Sequence, residues 1–145
     1  MNSAETERTI VVIKPGGVRE TVGGVLLPRI VTGLLSSAGL EVTQRETIVL
    51  DEPRVRRLYP ILEVPDLVYG EGWKVRLITH MTGGQCEALV VEGVQAQRRA
   101  VLIKRLIRQA LRPDDTPEHR VINNLIHVPD PEEFCLVYDV LFNQR

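Results

Sequence analysis

The chain has 145 residues, 43% hydrophobic, 26% charged and 4% aromatic, with a formal net charge of -1. That length predicts a single domain over 1–145 that buries roughly 68–70% of its unfolded surface without help from disulfides or a structural metal. Near-neutral charge argues against nucleic-acid and anionic-membrane partners, the apolar runs are too short to span a bilayer, and Cys86 and Cys135 are too few for a disulfide scaffold or zinc site. The polar start, Met1 to Arg8, reads as neither signal nor transit peptide, so a cytoplasmic protein of a reducing compartment is expected. Thr9 to Lys14 is a β-branched run closed by Pro15-Gly16-Gly17, which predicts a buried strand ending in a turn. Apolar positions recur at helical spacing from Val22 to Ala38, with Pro28 and Gly33 as weak points and Gly39 as a stop. Leu40 to Leu50 alternates as a strand, and Asp51 caps a short helix reaching Tyr59, with Pro53 in its first turn.

Ile61 to Gly72 is loop-like. Trp73, Leu77, Ile78 and Met81 share one helical face, and Gly83-Gly84 ends that segment. Ala88 to Val91 is the third predicted strand, and Val94 to Leu111 a long helix that stops before Pro113. After a polar stretch, Asn123 to His127 is apolar enough for a final strand. Asp130-Pro131-Glu132-Glu133 is a helix start: a cap, a proline at the first position and an acid able to close a capping box. The order β-α-β, a helical insertion, then β-α-β predicts an α+β fold, a ferredoxin-like βαββαβ sandwich with an antiparallel sheet covered by helices.

Chemistry concentrates at three places. Lys14 closes an apolar strand before Pro-Gly-Gly, where the backbone can approach an anion closely; a lysine that snorkels to water is the ordinary alternative. Arg98, Arg99, Lys104, Arg105, Arg108 and Arg112 lie on or just after one helix with no acid between Gly93 and Pro113. A solvated face explains most of them, but such unpaired like charges favour a bound polyanion or acids from a neighbour. Fifteen of the 18 basic residues are arginine, the donor that suits phosphate, although arginine-rich coding yields the same count. His127 stands at a strand end just before a helix cap. It is either a structural histidine or a nucleophile and general base, since imidazole is largely neutral near physiological pH. No Walker-type loop, dinucleotide fingerprint, nucleophilic serine elbow or zinc pattern is present.

These residues together resemble a family. Thr9-Ile-Val-Val-Ile-Lys14-Pro-Gly-Gly-Val18 resembles the opening strand of nucleoside diphosphate kinases, and Asn124-Leu-Ile-His127 the segment with their phosphorylated histidine. Gly39-Leu40, Tyr59, Gly83-Gly84 and Glu92-Gly93 fall between them in the same order, so the similarity runs from about residue 7 to 142. The resemblance implies a ping-pong phosphotransfer from nucleoside triphosphates to nucleoside diphosphates through phosphohistidine. It implies His127 as nucleophile, Lys14 as the phosphate- and sugar-contacting lysine, Tyr59 beside the nucleophile and Asn124 on the nucleotide sugar. Arg105 and Arg120 are the implied phosphate arginines and Asp139 the acid that orients the histidine. Magnesium enters with the nucleotide, held mostly by phosphates and water, and a homo-oligomer is expected.

The sequence also departs from the family. Gly16 stands where an acid is usual, Val128-Pro129-Asp130 where Gly-Ser-Asp is usual, and Asn123 where an arginine is usual. Leu111 replaces a threonine, and Asp139 is one position out of step. Those departures support a second reading, a catalytically weak or inactive kinase-like domain that binds nucleotide or a protein. A third reading, nucleic-acid binding through the Arg98–Arg112 helix, is opposed by the neutral charge and sparse aromatics.

Overall fold

The computed structural model describes residues 5–63, 72–114, 116, 122 and 124–143. In chain order, β1 is Thr6–Ile13, α1 the single turn Pro15–Val18, and β2 and β3 a small hairpin of Thr21–Val22 and Val25–Leu26. α2 (Leu27–Ser37), β4 (Glu41–Val49), α3 (Glu52–Leu58) and α4 (Trp73–Thr82) follow. β5 (Gln85–Val94), α5 (Ala96–Leu111), β6 (Ile126–His127) and α6 (Phe134–Phe142) complete the set.

The main sheet has the order β4-β5-β1-β6, and every pairing is antiparallel. This is the ferredoxin-like arrangement expected from the element order. β1 pairs with β5 from Thr6↔Val94 to Ile13↔Glu87, and with β6 through Val12↔His127 and Ile13↔Ile126. Because neighbouring residues of a strand face opposite ways, Ile10 and Val12 enter one core with Val55, Leu58, Tyr59, Trp73 and Met81, beneath α3, α4 and α6. Val11 and Ile13 enter the other with Leu27, Val31, Leu35, Ala100 and Ile107, beneath α2 and α5. Helices on both faces explain why β1 reads as an unbroken apolar run rather than an alternating one.

Several boundaries differ from the sequence expectation, each for a local reason. The helix expected over Val22–Ala38 begins only at Leu27; Gly23 and Gly24, at φ 58° and 81°, turn the preceding residues into the β2–β3 hairpin. Pro28 lies in the first turn of α2, where its missing N–H costs nothing. β1 starts at Thr6 and stops at Ile13, leaving Lys14 as the residue that enters α1. β5 extends the expected Ala88–Val91 strand to ten residues and absorbs Val94, so α5 starts at Ala96 after Gln95 turns the chain at φ 53°. The final strand is short because Leu125, at φ 73°, is left-handed and cannot continue it; Asn123 lies outside the described residues. At the start of the segment read as loop over Ile61–Gly72, Pro60–Glu63 forms a 3₁₀ turn.

Other expectations match the structure. Asp51 caps α3, its carboxylate accepting from Arg54 N–H at 3.0 Å. Glu133 accepts from the N–H of Asp130 at 3.2 Å. Trp73, Leu77 and Met81 are fully buried on one face of α4. Among the described residues, no helix is long and apolar enough to cross a membrane.

One close approach fixes the end of β1 against the segment leading into β6. The backbone N–H of Lys14 donates to the carbonyl of Leu125 at 2.9 Å. A Cβ placed on Gly17 would stand 2.6 Å from that same carbonyl oxygen. Gly17→Ala is therefore expected to cost about 1–3 kcal/mol through a backbone clash that no rotamer relieves, read from the midpoint of urea unfolding.

Candidate active site

The parity of the sheet builds the site. Residues that pair directly across antiparallel strands share a face, so His127 lies on the side of Val12. Lys14, two residues beyond Val12, continues toward that same face. Tyr59 reaches the same place from the C-terminal end of α3. The three side chains meet: the Lys14 ammonium lies 5.2 Å from the centre of the Tyr59 ring, and the Tyr59 and His127 ring centres are 5.2 Å apart. The Tyr59 hydroxyl donates to Met81 Sδ at 3.8 Å, which anchors the ring from α4.

Lys14 is 0% exposed, an unusual state for a lysine. Its Nζ donates to the carbonyl of Ile122 at 3.3 Å and also faces the aromatic ring. Burial, reinforced by the charge of Lys104, lowers its pKa from 10.5 to about 7. His127 is half-buried, and its Nε2 is fully enclosed with no hydrogen-bond partner among the described residues. Burial, followed by the charges of Lys14 and Lys104, pushes its pKa down to about 3, so the imidazole is neutral throughout the physiological range. Burial raises the Tyr59 pKa, and it pushes the Cys86 thiol up to about 12. The result is a neutral nucleophile-type side chain beside a buried amine, with a neutral phenol between them.

Not all the expected residues join this group. Asn124 is half-buried three residues before His127, and its carbonyl accepts from Ile126 N–H at 2.9 Å. Arg105 is exposed on α5, beside Arg108 and Arg112. Arg120 lies outside the described residues. Asp139 is exposed on α6, where it accepts from Arg57 at 2.8 Å and from the Asn143 amide at 3.3 Å. Those two bonds hold its pKa below the usual carboxylate value, and they occupy the side chain expected to orient the histidine. Val128, at the position of the lost glycine, packs into the core beneath α2 and α5.

Two residues that the sequence reading did not assign to the site are linked to it by charge. His80, near the end of α4, has an enclosed Nε2 and a pKa lowered to about 4 by burial and by the charges of Lys14 and Arg19. Lys104 stands on α5, and its charge acts on both Lys14 and His127. Its spacing held the signal: Ala96, Ala100 and Ile107 form the buried stripe of α5, and Lys104 falls four residues after Ala100.

The chain is similar to known proteins over most of its length. No family model matches the chain. It is 27% identical over 135 residues to the nucleoside diphosphate kinase of Sulfurisphaera tokodaii, covering 88% of this chain and 82% of that protein. It is 35% identical over 91 residues to the enzyme of the same name from Thermobifida fusca, covering 62% and 58%. The structure of a Halobacterium salinarum nucleoside diphosphate kinase in complex with CDP superposes with a TM-score of 0.68 at 25% identity, over 97% of this chain and 90% of that one. The chain is a divergent relative of the nucleoside diphosphate kinases. A Borrelia burgdorferi nucleoside diphosphate kinase, a transition-state mimic with bound vanadate and ADP, shares the fold with a TM-score of 0.66 at 20% identity, over 94% and 87%.

The buried amine gives this kinase relative a pH signature. Unfolded, Lys14 binds a proton up to pH about 10.5; folded, it does so only below about 7. Protonation therefore favours unfolding in that interval, and stability rises with pH from 7 to about 8, before an unfolded thiol ionises appreciably. The slope due to Lys14 is at most about 1.4 kcal/mol per pH unit. Lys14→Met is expected to reduce that slope and to raise the melting temperature at pH 7, measured by thermal unfolding in a series of buffers.

Proposed function

We propose that this chain is a nucleoside diphosphate kinase that moves the γ-phosphate of a nucleoside triphosphate to a nucleoside diphosphate through phosphohistidine at His127. The observation that carries the reading is the convergence of His127, Tyr59 and the buried Lys14 at the end of the central strands. A histidine nucleophile needs a neutral ring at working pH and a cation for the phosphate charge, and this arrangement supplies both.

With Nε2 enclosed in the protein, Nδ1 is the nitrogen on the open side of the ring. In the first half-reaction the Nδ1 lone pair bonds to the γ-phosphorus. The bond from that phosphorus to the β,γ-bridging oxygen breaks, and its electron pair leaves with the nucleoside diphosphate. In the second, a terminal oxygen of another nucleoside diphosphate attacks the phosphorus and the N–P electrons return to the ring. Nε2 keeps its proton throughout. Lys14 gains a full charge as phosphate approaches, because an anion opposes the desolvation that lowers its pKa. Tyr59 limits the motion of the imidazole by ring contact. Magnesium belongs to this reading as part of the nucleotide substrate; the buried ammonium of Lys14 suits the phosphates rather than a bare metal ion. Asn124 and Arg105, with Arg120, remain our candidates for the sugar and the outer phosphates. The edge of β4, nine residues long and unpaired among the described residues, supports the expected homo-oligomer, since such an edge offers backbone groups to a second copy.

The test is incubation with γ-labelled ATP and magnesium. The wild-type chain should acquire acid-labile, base-stable label, and His127→Ala should acquire none. The labelling rate should not fall between pH 8 and 6, since a ring with a pKa of about 3 does not titrate there. A wild-type chain that stays unlabelled sinks the phosphotransfer reading and leaves the inactive nucleotide-binding alternative.

A further inference from the structure

We propose that the apolar groove between α2 and α5 is a docking site for an acidic amphipathic helix of another protein. Three elements build its walls: Val22 from the β2–β3 hairpin, Ile30 and Leu34 from α2, and Leu106, Ala110 and Leu111 from α5. Every residue that lines it is apolar. Val25 pairs with Val22 across the hairpin, so both face one side of that ribbon. Leu102 stands one turn before Leu106 on α5. Val22, Val25, Leu102 and Leu106 are 39%, 42%, 53% and 58% exposed. A contiguous apolar surface of this kind marks an interaction site more often than scattered exposed leucines do. The groove lies over the core of Val11 and Ile13, whereas Tyr59 packs in the core on the other face of the sheet. The inference is therefore independent of the phosphotransfer reading.

Size and shape select a helix as the occupant. The groove holds about 180 Å³. A small-molecule site usually needs roughly 300–1,000 Å³, so this one suits side chains inserted from a partner's surface. Leu102, Leu106 and Ala110 repeat at every fourth residue and span about 12 Å of α5, the length of two turns of a helix laid alongside. On the α2 rim, Gly33 shares a side with Ile30 and Ser37. A Cβ placed on Gly33 would meet nothing within 4 Å. Glycine is unfavourable inside a helix, and no contact within the fold requires it here. Its use is a low rim over which a partner helix can lie close.

Charge identifies the partner. Residues 21–40 and 93–113 hold seven of the 18 basic residues and none of the 19 acids. Arg98 and Arg105 are exposed beside Leu102, along a rim where Asp130 is the single acid among the described residues. Neither arginine makes an ion pair or hydrogen bond among the described residues, whereas Arg112 is answered by Glu20. Carboxylates flanking a partner's apolar stripe would meet Arg98 and Arg105 as that stripe enters the groove. A second copy of this chain offers no such helix among the described residues. α4 has no acid, α3 sets one acid beside three arginines, and Asp139, the only acid of α6, is bonded to Arg57. A bilayer surface would touch Leu102 and Leu106 but not the half-buried Ile30 and Leu34 between the helices.

The experiment is fluorescence anisotropy with a synthetic peptide of about 16 residues, long enough to form a helix, with leucine on one face and glutamate on both flanks. A second peptide keeps the leucines and carries lysine in place of glutamate. Wild type should bind the glutamate peptide saturably and about tenfold or more tightly than the lysine peptide, and added salt should weaken that binding. Leu106→Asp should weaken it about tenfold or more, and Arg98→Glu about threefold. Gly33→Gln, for which the fold has room, should weaken it about threefold with no fall in melting temperature. The inference is overturned if the glutamate peptide does not saturate, or if it binds Leu106→Asp and Gly33→Gln within about twofold of wild type. It is also overturned if Leu106→Asp dissociates an oligomer that wild type forms in the ultracentrifuge, which assigns the groove to a second copy. Phosphatidylserine vesicles that capture wild type but not Leu106→Asp, with no binding of the peptide, assign it to a membrane and overturn it likewise. Should Leu106→Asp fail to fold, Gly33→Gln decides by the same thresholds.

Discussion

A fully buried ammonium group at the end of an apolar strand is the constraint around which the rest of the molecule is arranged. Water is absent from Lys14, so its polar atoms depend on protein groups. The N–H is taken by Leu125, and Nζ by the Ile122 carbonyl and the face of Tyr59. The partners come from two parts of the chain: the end of α3 supplies the ring, and the segment before β6 supplies both carbonyls. Leu125 adopts a left-handed conformation, which is costly for a residue with a side chain. Its carbonyl is the one that meets Lys14, so the strain and the contact occur at one residue. Gly17 beside it has no room for even a methyl group. The anchoring of the lysine and the shape of the following turn are therefore one packing problem.

The alternation of sheet and helices was visible in the chain, as were Lys14 and His127, because each ends an element whose hydrophobic pattern is strong; Tyr59 is marked only by the resemblance to the kinases. Other features depend on contacts that are distant in sequence. Asp139 looked available for the histidine; Arg57, 82 residues away in the chain, claims it instead. Lys104 was hidden among arginines, since a run of cations on a helix resembles a solvated face until the helix is laid against its sheet. The β2–β3 hairpin was read as helix because Val22, Val25 and Leu26 keep a helical spacing across two glycines. Once those glycines take positive φ, the same spacing becomes two short strands. Local pattern defines the elements; the use made of a charge is decided by packing.

The departures from the kinase pattern also acquire physical meaning. Val128 exchanges a flexible position for a packed one, with 5% of its surface exposed. Pro129 offers its carbonyl to Gln97, which ties the turn after the histidine to α5. Arg112 at the end of α5 pairs with Glu20 at 3.0 Å, joining the helix exit to the start of the hairpin. The surroundings of His127 are thus built from apolar contacts and backbone acceptors.

The shared face of Val12, Lys14 and His127 has a consequence for how such a protein can change through time. Substitutions in the turns alter the surroundings of the site but leave its two key side chains on the same side of the sheet. Insertion or deletion of a single residue in β1 would instead send Lys14 toward the α2–α5 core and break its alignment with the histidine, because strand residues alternate sides. A lineage of this kind can therefore accumulate many replacements, down to about a quarter identity with its relatives, while the length of its central strand stays under strict control.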